Sequence, residues 1–91
     1  MYQILPYSRA QATRLGVTIK PSQNKNKKID VYRDGKFVAS IGAIGYKDYP
    51  TYTKEDGLEK AKERRRLYKL RHNADRSIVD SPGYFANQIL W

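Results

Sequence analysis

Residues 29–42, IDVYRDGKFVASIG, constrain the fold of this 91-residue chain more than any other stretch. Ile29, Val31 and Arg33 alternate with Asp30 and Tyr32, and Lys36 to Ile41 returns after Asp34-Gly35. An Asp-Gly pair between alternating segments makes a two-residue turn, because both positions require positive φ. The short β-branched run VTIK (17–20) adds a third strand. The expectation is one α+β domain over residues 1–91, with a small three-stranded antiparallel sheet around that hairpin.

A long basic helix and a short C-terminal helix are expected to pack this sheet. PYSRAQATRLG predicts a short N-terminal helix over residues 8–15, capped by Ser8 and ended by Gly16, with Ala10, Ala12 and Leu15 inward. PSQNKNKK (21–28) is polar, holds a proline and shows no apolar period, so it reads as a mobile lysine-rich loop. The stretch 42–54 reads as a second loop, in which Pro50 keeps Tyr49 extended. Its tyrosines Tyr46, Tyr49 and Tyr52 recur every three residues. They serve either as a stacking platform for bases or as a lid sealing sheet to helix, and the lid is favoured.

A long basic helix is expected to start at Thr53, with Asp56 completing a capping-box-like pair. Its acids fall early and its cations late, as the helix dipole favours. At 100° per residue, Leu58, Ala61, Arg65, Tyr68 and His72 share one stripe, and Leu67, Leu70 and Ala74 share a nearly opposite one. Two apolar faces imply a helix sandwiched between layers or offered to a partner. Arg65 and His72, on the first stripe, are expected to pair with loop carbonyls or with a carboxylate such as Asp48, since a buried unpaired charge is costly. Ser81 and Pro82 start a short C-terminal helix, with Tyr84, Phe85, Ile89, Leu90 and Trp91 apolar.

Charge and composition narrow the function classes. Eighteen Lys and Arg against nine Asp and Glu leave a net charge of +9, which favours acidic partners. Residues 1–45 hold eight cations against two anions, and residues 46–91 ten against seven. Lys25, Lys27 and Lys28 therefore form the least opposed group and the first candidate for phosphate contact. Arg33, Lys36, Arg64, Arg66 and Lys69 extend it. Tyr46, Tyr49, Tyr52 and Trp91 are candidate partner-binding residues. The absence of cysteine excludes a disulfide framework and thiolate zinc sites. A lone His72, without nucleophile motif or metal-ligand spacing, is no catalytic signature. No metal, cofactor or catalytic residue is expected. The N-terminus is too short and polar for a signal peptide, and no 18-residue apolar run exists, so synthesis in the cytoplasm or nucleus and no membrane association are expected.

Three patches in order, DGKFVASIGAIGYKDYPTY, RRRLYKLRH and SPGYFANQILW, resemble a family of small uncharacterised proteins of large DNA viruses and related viral genomes. The resemblance spans about residues 34–91. Gly42, Gly45, Tyr46, Asp48, Tyr49, Arg65, Tyr68, Arg71, His72, Leu90 and Trp91 match its pattern. It carries no assigned activity and implies a viral origin and a virion component. Taken together, these readings lead to the expectation of a non-enzymatic viral structural protein, minor in the particle, contacting capsid protein and, through its basic surface, the packaged genome. The alternative is a soluble nucleic-acid-binding or regulatory module acting during infection.

Overall fold

A computed structural model describes residues 2–73 and 78–91. The fold is α+β. Helix α1 spans Pro6–Leu15, strands β1 to β3 span Thr18–Pro21, Lys27–Arg33 and Lys36–Ala43, and helices α2 to α4 span Tyr49–Asp56, Leu58–Arg71 and Pro82–Ile89. The sheet is antiparallel in the order β1-β2-β3.

The hairpin turns at Asp34 and Gly35, with φ of 53° and 78°. Ile29 faces Ile41 and Val31 faces Ala39, after which a bulge shifts the register so that Tyr32 faces Phe37. The extra residue, Val38, packs partly buried against the core. Ile19, Ile29, Val31, Ala39 and Ile41 meet Phe85, Ile89 and Leu90 of the C-terminal segment, and Ile4, Ala12 and Val17 complete the cluster. Apolar burial of this kind supplies most of the driving force for folding.

α1 begins two residues earlier than Ser8 suggests. Pro6 occupies its first turn and Leu5 is the cap residue, without a side-chain bond. Ser8 is instead fully buried, and its hydroxyl donates to the Ile89 carbonyl at 2.9 Å. Pro6, suited to a first helical position, starts the helix ahead of Ser8, whose hydroxyl ties α1 to α4 instead. Ala12 is buried and Leu15 half-buried as expected, whereas Ala10 is exposed. Gly16 does end the helix with φ 75°.

The polar stretch 21–28 is shorter as a loop than expected. Lys27 and Lys28 begin β2, and Lys28 is 5% exposed. Asp30 is also buried, accepting from the hydroxyls of Ser22 and Ser40 at 2.6 Å each. Burial works against its charge, but those hydroxyls and the Gln23 N–H hold its carboxyl below the usual range.

The largest correction concerns residues 49–52, expected as loop, which form the first half of helix α2. Asp48 is its cap, accepting from the Thr51 N–H at 3.0 Å. Proline in a first helical turn costs nothing, because N–H groups there have no intrahelical acceptor. The Tyr49 N–H, another of these, is satisfied by the Leu90 carbonyl at 2.9 Å. Thr53 thus lies inside α2, its hydroxyl donating to the Tyr49 carbonyl, and caps nothing.

Gly57 then separates α2 from α3 at φ 94° and ψ 161°, a conformation essentially reserved to glycine. α3 packs principally on α2. Its first stripe is half realised: Ala61 is fully buried and Arg65, Tyr68 and His72 are half-buried, but Leu58 is 47% exposed. On the second stripe Leu67 is half-buried, Leu70 is 66% exposed, and Ala74 lies outside the described residues. α3 is therefore not sandwiched within this chain. α4 is as expected, with Ser81 as cap accepting from the Tyr84 N–H at 3.1 Å.

Candidate nucleic-acid interface

At the end of the sheet nearest Lys27 and Ala43, a buried charge cluster fixes an exposed aromatic surface. The Lys28 ammonium meets the Asp48 carboxylate at 3.0 Å, with side-chain exposures of 6% and 1%. The Tyr2 hydroxyl donates to the same carboxylate oxygen at 2.7 Å, and the Lys28 ammonium lies 5.3 Å from the Tyr2 ring centre. Burial raises the Asp48 carboxyl, but the Thr51 N–H, the Tyr2 hydroxyl and the Lys28 cation outweigh it and hold the group below the usual carboxylate range. Burial, with Asp48 adding to it, pushes the Tyr2 hydroxyl well above the usual tyrosine range.

Lys28 also donates to the backbone carbonyl of Tyr46. The turn carrying Tyr46 is thus anchored by a buried ion pair, while its side chain is 76% exposed. Close packing beside this anchor demands glycine at position 42. A Cβ there would sit 2.7 Å from Leu90 Cδ1 and 2.9 Å from Lys28 Cδ.

Three adjoining grooves share Tyr46 as a lining residue. One, about 650 Å³, runs past Lys25, Lys27 and Ile44 to Tyr2. A second, about 460 Å³, lies among Tyr52, Arg64, Tyr68, Arg71, Leu90 and Trp91. The third joins them over Lys47, Lys60 and Asp56. In the second groove Trp91 stacks on Tyr68 at 4.5 Å and 8°, and Tyr68 on His72 at 4.4 Å. Tyr52 tilts against Trp91 at 6.3 Å, and Arg64 lies 5.7 Å from the Tyr52 ring centre. Lys47 is held by Asp56 at 2.8 Å and Glu55 at 3.3 Å, which raise its pKa. Lys25, Lys27, Lys60, Arg64 and Arg71 have no ion-pair partner among the described residues.

The residues singled out from sequence divide accordingly. Lys25, Lys27, Arg64, Tyr46, Tyr52 and Trp91 come together here. Lys28 does not offer itself to phosphate, because Asp48 takes its charge inside the protein. Asp48 pairs with Lys28 rather than with Arg65 or His72. The Arg65 guanidinium lies over the Tyr49 ring at 4.2 Å, and Tyr49 leans on Tyr7 at 5.1 Å, so that tyrosine serves internal packing. Arg33 is tied to Asp80 at 3.0 Å and Arg66 to Glu63 at 2.8 Å, while Lys69 bonds Asn87 at 2.8 Å. None of these three, nor the exposed Lys36, lines the grooves.

The site set drawn from sequence lacks Tyr2, Lys47, Lys60, Tyr68 and Arg71. For three of them a signal existed. Lys60, Arg64, Tyr68 and Arg71 recur at spacings of four, four and three, one face of a helix. Reading Tyr68 within an apolar stripe separated it from the cations beside it.

Among the described residues no group of three potential metal ligands occurs, and no helix is long and apolar enough to cross a membrane. Compared with known proteins, the chain matches no family model, no curated protein and no solved structure.

Proposed function

We propose that this protein is a non-enzymatic nucleic-acid-binding protein whose binding face is the groove system around Tyr46. The observation that carries this reading is one arrangement. An exposed tyrosine stands at the junction of three grooves, and their rims hold five cations without ion-pair partners among the described residues. Unopposed lysines and arginines attract phosphate and release condensed counterions when they bind it. The net charge of +9 adds long-range attraction.

The test is binding to random-sequence single- and double-stranded DNA across a salt series. The expected result is a linear fall of log K with log salt, made shallower by about 0.7 (single strand) to 0.9 (duplex) for each phosphate contact removed in a Lys25→Ala, Lys27→Ala, Lys60→Ala, Arg64→Ala variant. No binding at low salt, or a slope unchanged in that variant, overturns the proposal.

A second reading places the domain in a virus particle, as the resemblance implies, between capsid protein and packaged genome. It is favoured by Phe37, Ile78 and Val79, which are 58%, 63% and 70% exposed. The Arg33–Asp80 pair ties the segment carrying Ile78 and Val79 to the hairpin. Exposed apolar side chains of this size suit a protein contact. Purified particles that lack the protein rule this reading out.

A further inference from the structure

We infer that the groove beside Tyr46 takes an unpaired base stacked on the Tyr46 ring, so that the ligand class is single-stranded nucleic acid. This rests on the proposed function and adds what the face recognises. The Tyr46 ring has no aromatic partner among the described residues, although most of the other tyrosines have one. Its backbone is held by Lys28 from a buried ion pair and by its own N–H on the Ala43 carbonyl at 3.4 Å. The side chain is thus presented from a fixed base and is not a consequence of a loose loop. Across the groove, Tyr52 and Trp91 form an aromatic wall, and Trp91 is backed by Tyr68 in a near-parallel stack. Among the described residues no acidic side chain lines this groove, whereas Arg64 and Arg71 do.

Aromatic faces bind bases of any sequence, because every base has a π-face, and cations beside them take the backbone. A base within a duplex has its faces covered by its neighbours and cannot use this wall. Cations lie on both sides of Tyr46, with Lys25 and Lys27 in one groove and Arg64 and Arg71 in the other. A strand running past the tyrosine meets both groups, and a free mononucleotide meets one. The geometry therefore favours a strand.

The test compares an oligodeoxythymidylate, an abasic strand of the same length and a duplex, titrated by fluorescence anisotropy against the full chain and Tyr46→Leu. Tyr46 is exposed, so the variant retains the fold, and a thermal melt checks this. The expected result is that the thymidylate strand binds about 5- to 150-fold more tightly than the abasic strand at one salt concentration. Tyr46→Leu should abolish that difference and leave the salt slope unchanged. Equal affinity for thymidylate and abasic strands, with a normal salt slope, overturns the base slot but leaves phosphate binding standing. No binding of any of the three at low salt overturns both.

Discussion

Lys28→Met tests the buried anchor directly. The substitution keeps most of the side chain's apolar length and removes its charge. Asp48 then stays buried with two of its three donors, the Tyr2 hydroxyl and the Thr51 N–H. Breaking a buried pair from one side costs about 3–5 kcal/mol, and the two surviving bonds place this case near 3. The Tyr46 carbonyl loses its donor as well, which adds about 1 kcal/mol. The sum is about 4 kcal/mol. A domain of this size loses roughly 5 °C of Tm per kcal/mol, so the expected fall is roughly 20 °C at pH 7. Adding Asp48→Asn removes the stranded charge, while its amide oxygen still accepts from Thr51, and should restore at least half of the loss. Protons give a second check. The folded-state pKa of Asp48 is depressed, so its contribution is present above the unfolded value near 3.8 and is lost as pH falls through the folded one. The gap between wild type and Lys28→Met is therefore full at neutral pH and closes under acid. A Lys28→Met protein within about 1 kcal/mol of wild type at pH 7, or a double variant no better than the single one, refutes the reasoning.

Two further substitutions probe the joints around this anchor. Gly42→Ala drives a methyl into Leu90 and Lys28 at a φ of 79°, and should cost about 2–4 kcal/mol, read as a lower urea midpoint with unchanged m. Ser8→Ala strips the Ile89 carbonyl of its buried donor and should cost about 1–2 kcal/mol in the same assay.

The sheet and the last helix were legible because their signals are local. Asp34-Gly35 fixes a turn from two residues, and Ser81-Pro82 starts a helix by the chemistry of one cap and one ring. Residues 48–56 were harder, although Asp48 two places before a proline carries the same cap signal. Pro50 reads locally as a restriction on Tyr49, whereas the first helical turn tolerates it and Leu90, far along the chain, accepts the Tyr49 N–H. Lys28 was illegible for a different reason. Beside Lys25 and Lys27 it looks like one more solvated charge, and only Asp48, twenty residues away, decides that it is buried. In the same way nothing local distinguishes Tyr46, which faces solvent, from Tyr49, which packs against Tyr7 and Arg65.

The break at Gly57 has a kinetic consequence. α3 lies on α2 with Ala61 as its buried residue and Arg65 over the Tyr49 ring, and meets the rest of the molecule through contacts such as Tyr68 on Trp91 and Lys69 on Asn87. Swinging it away about Gly57 gives up those contacts but leaves the cluster of Ile29, Val31, Ile41, Phe85 and Ile89 intact. Such partial opening costs less than global unfolding. The amide protons of α3 should therefore exchange with solvent faster than those of β2. Because Arg64, Tyr68 and Arg71 form one wall of the groove, a strand bound there, as proposed, would hold the helix closed. Occupancy of the proposed site would then be recorded as slowed exchange along a helix that the ligand touches on one side only.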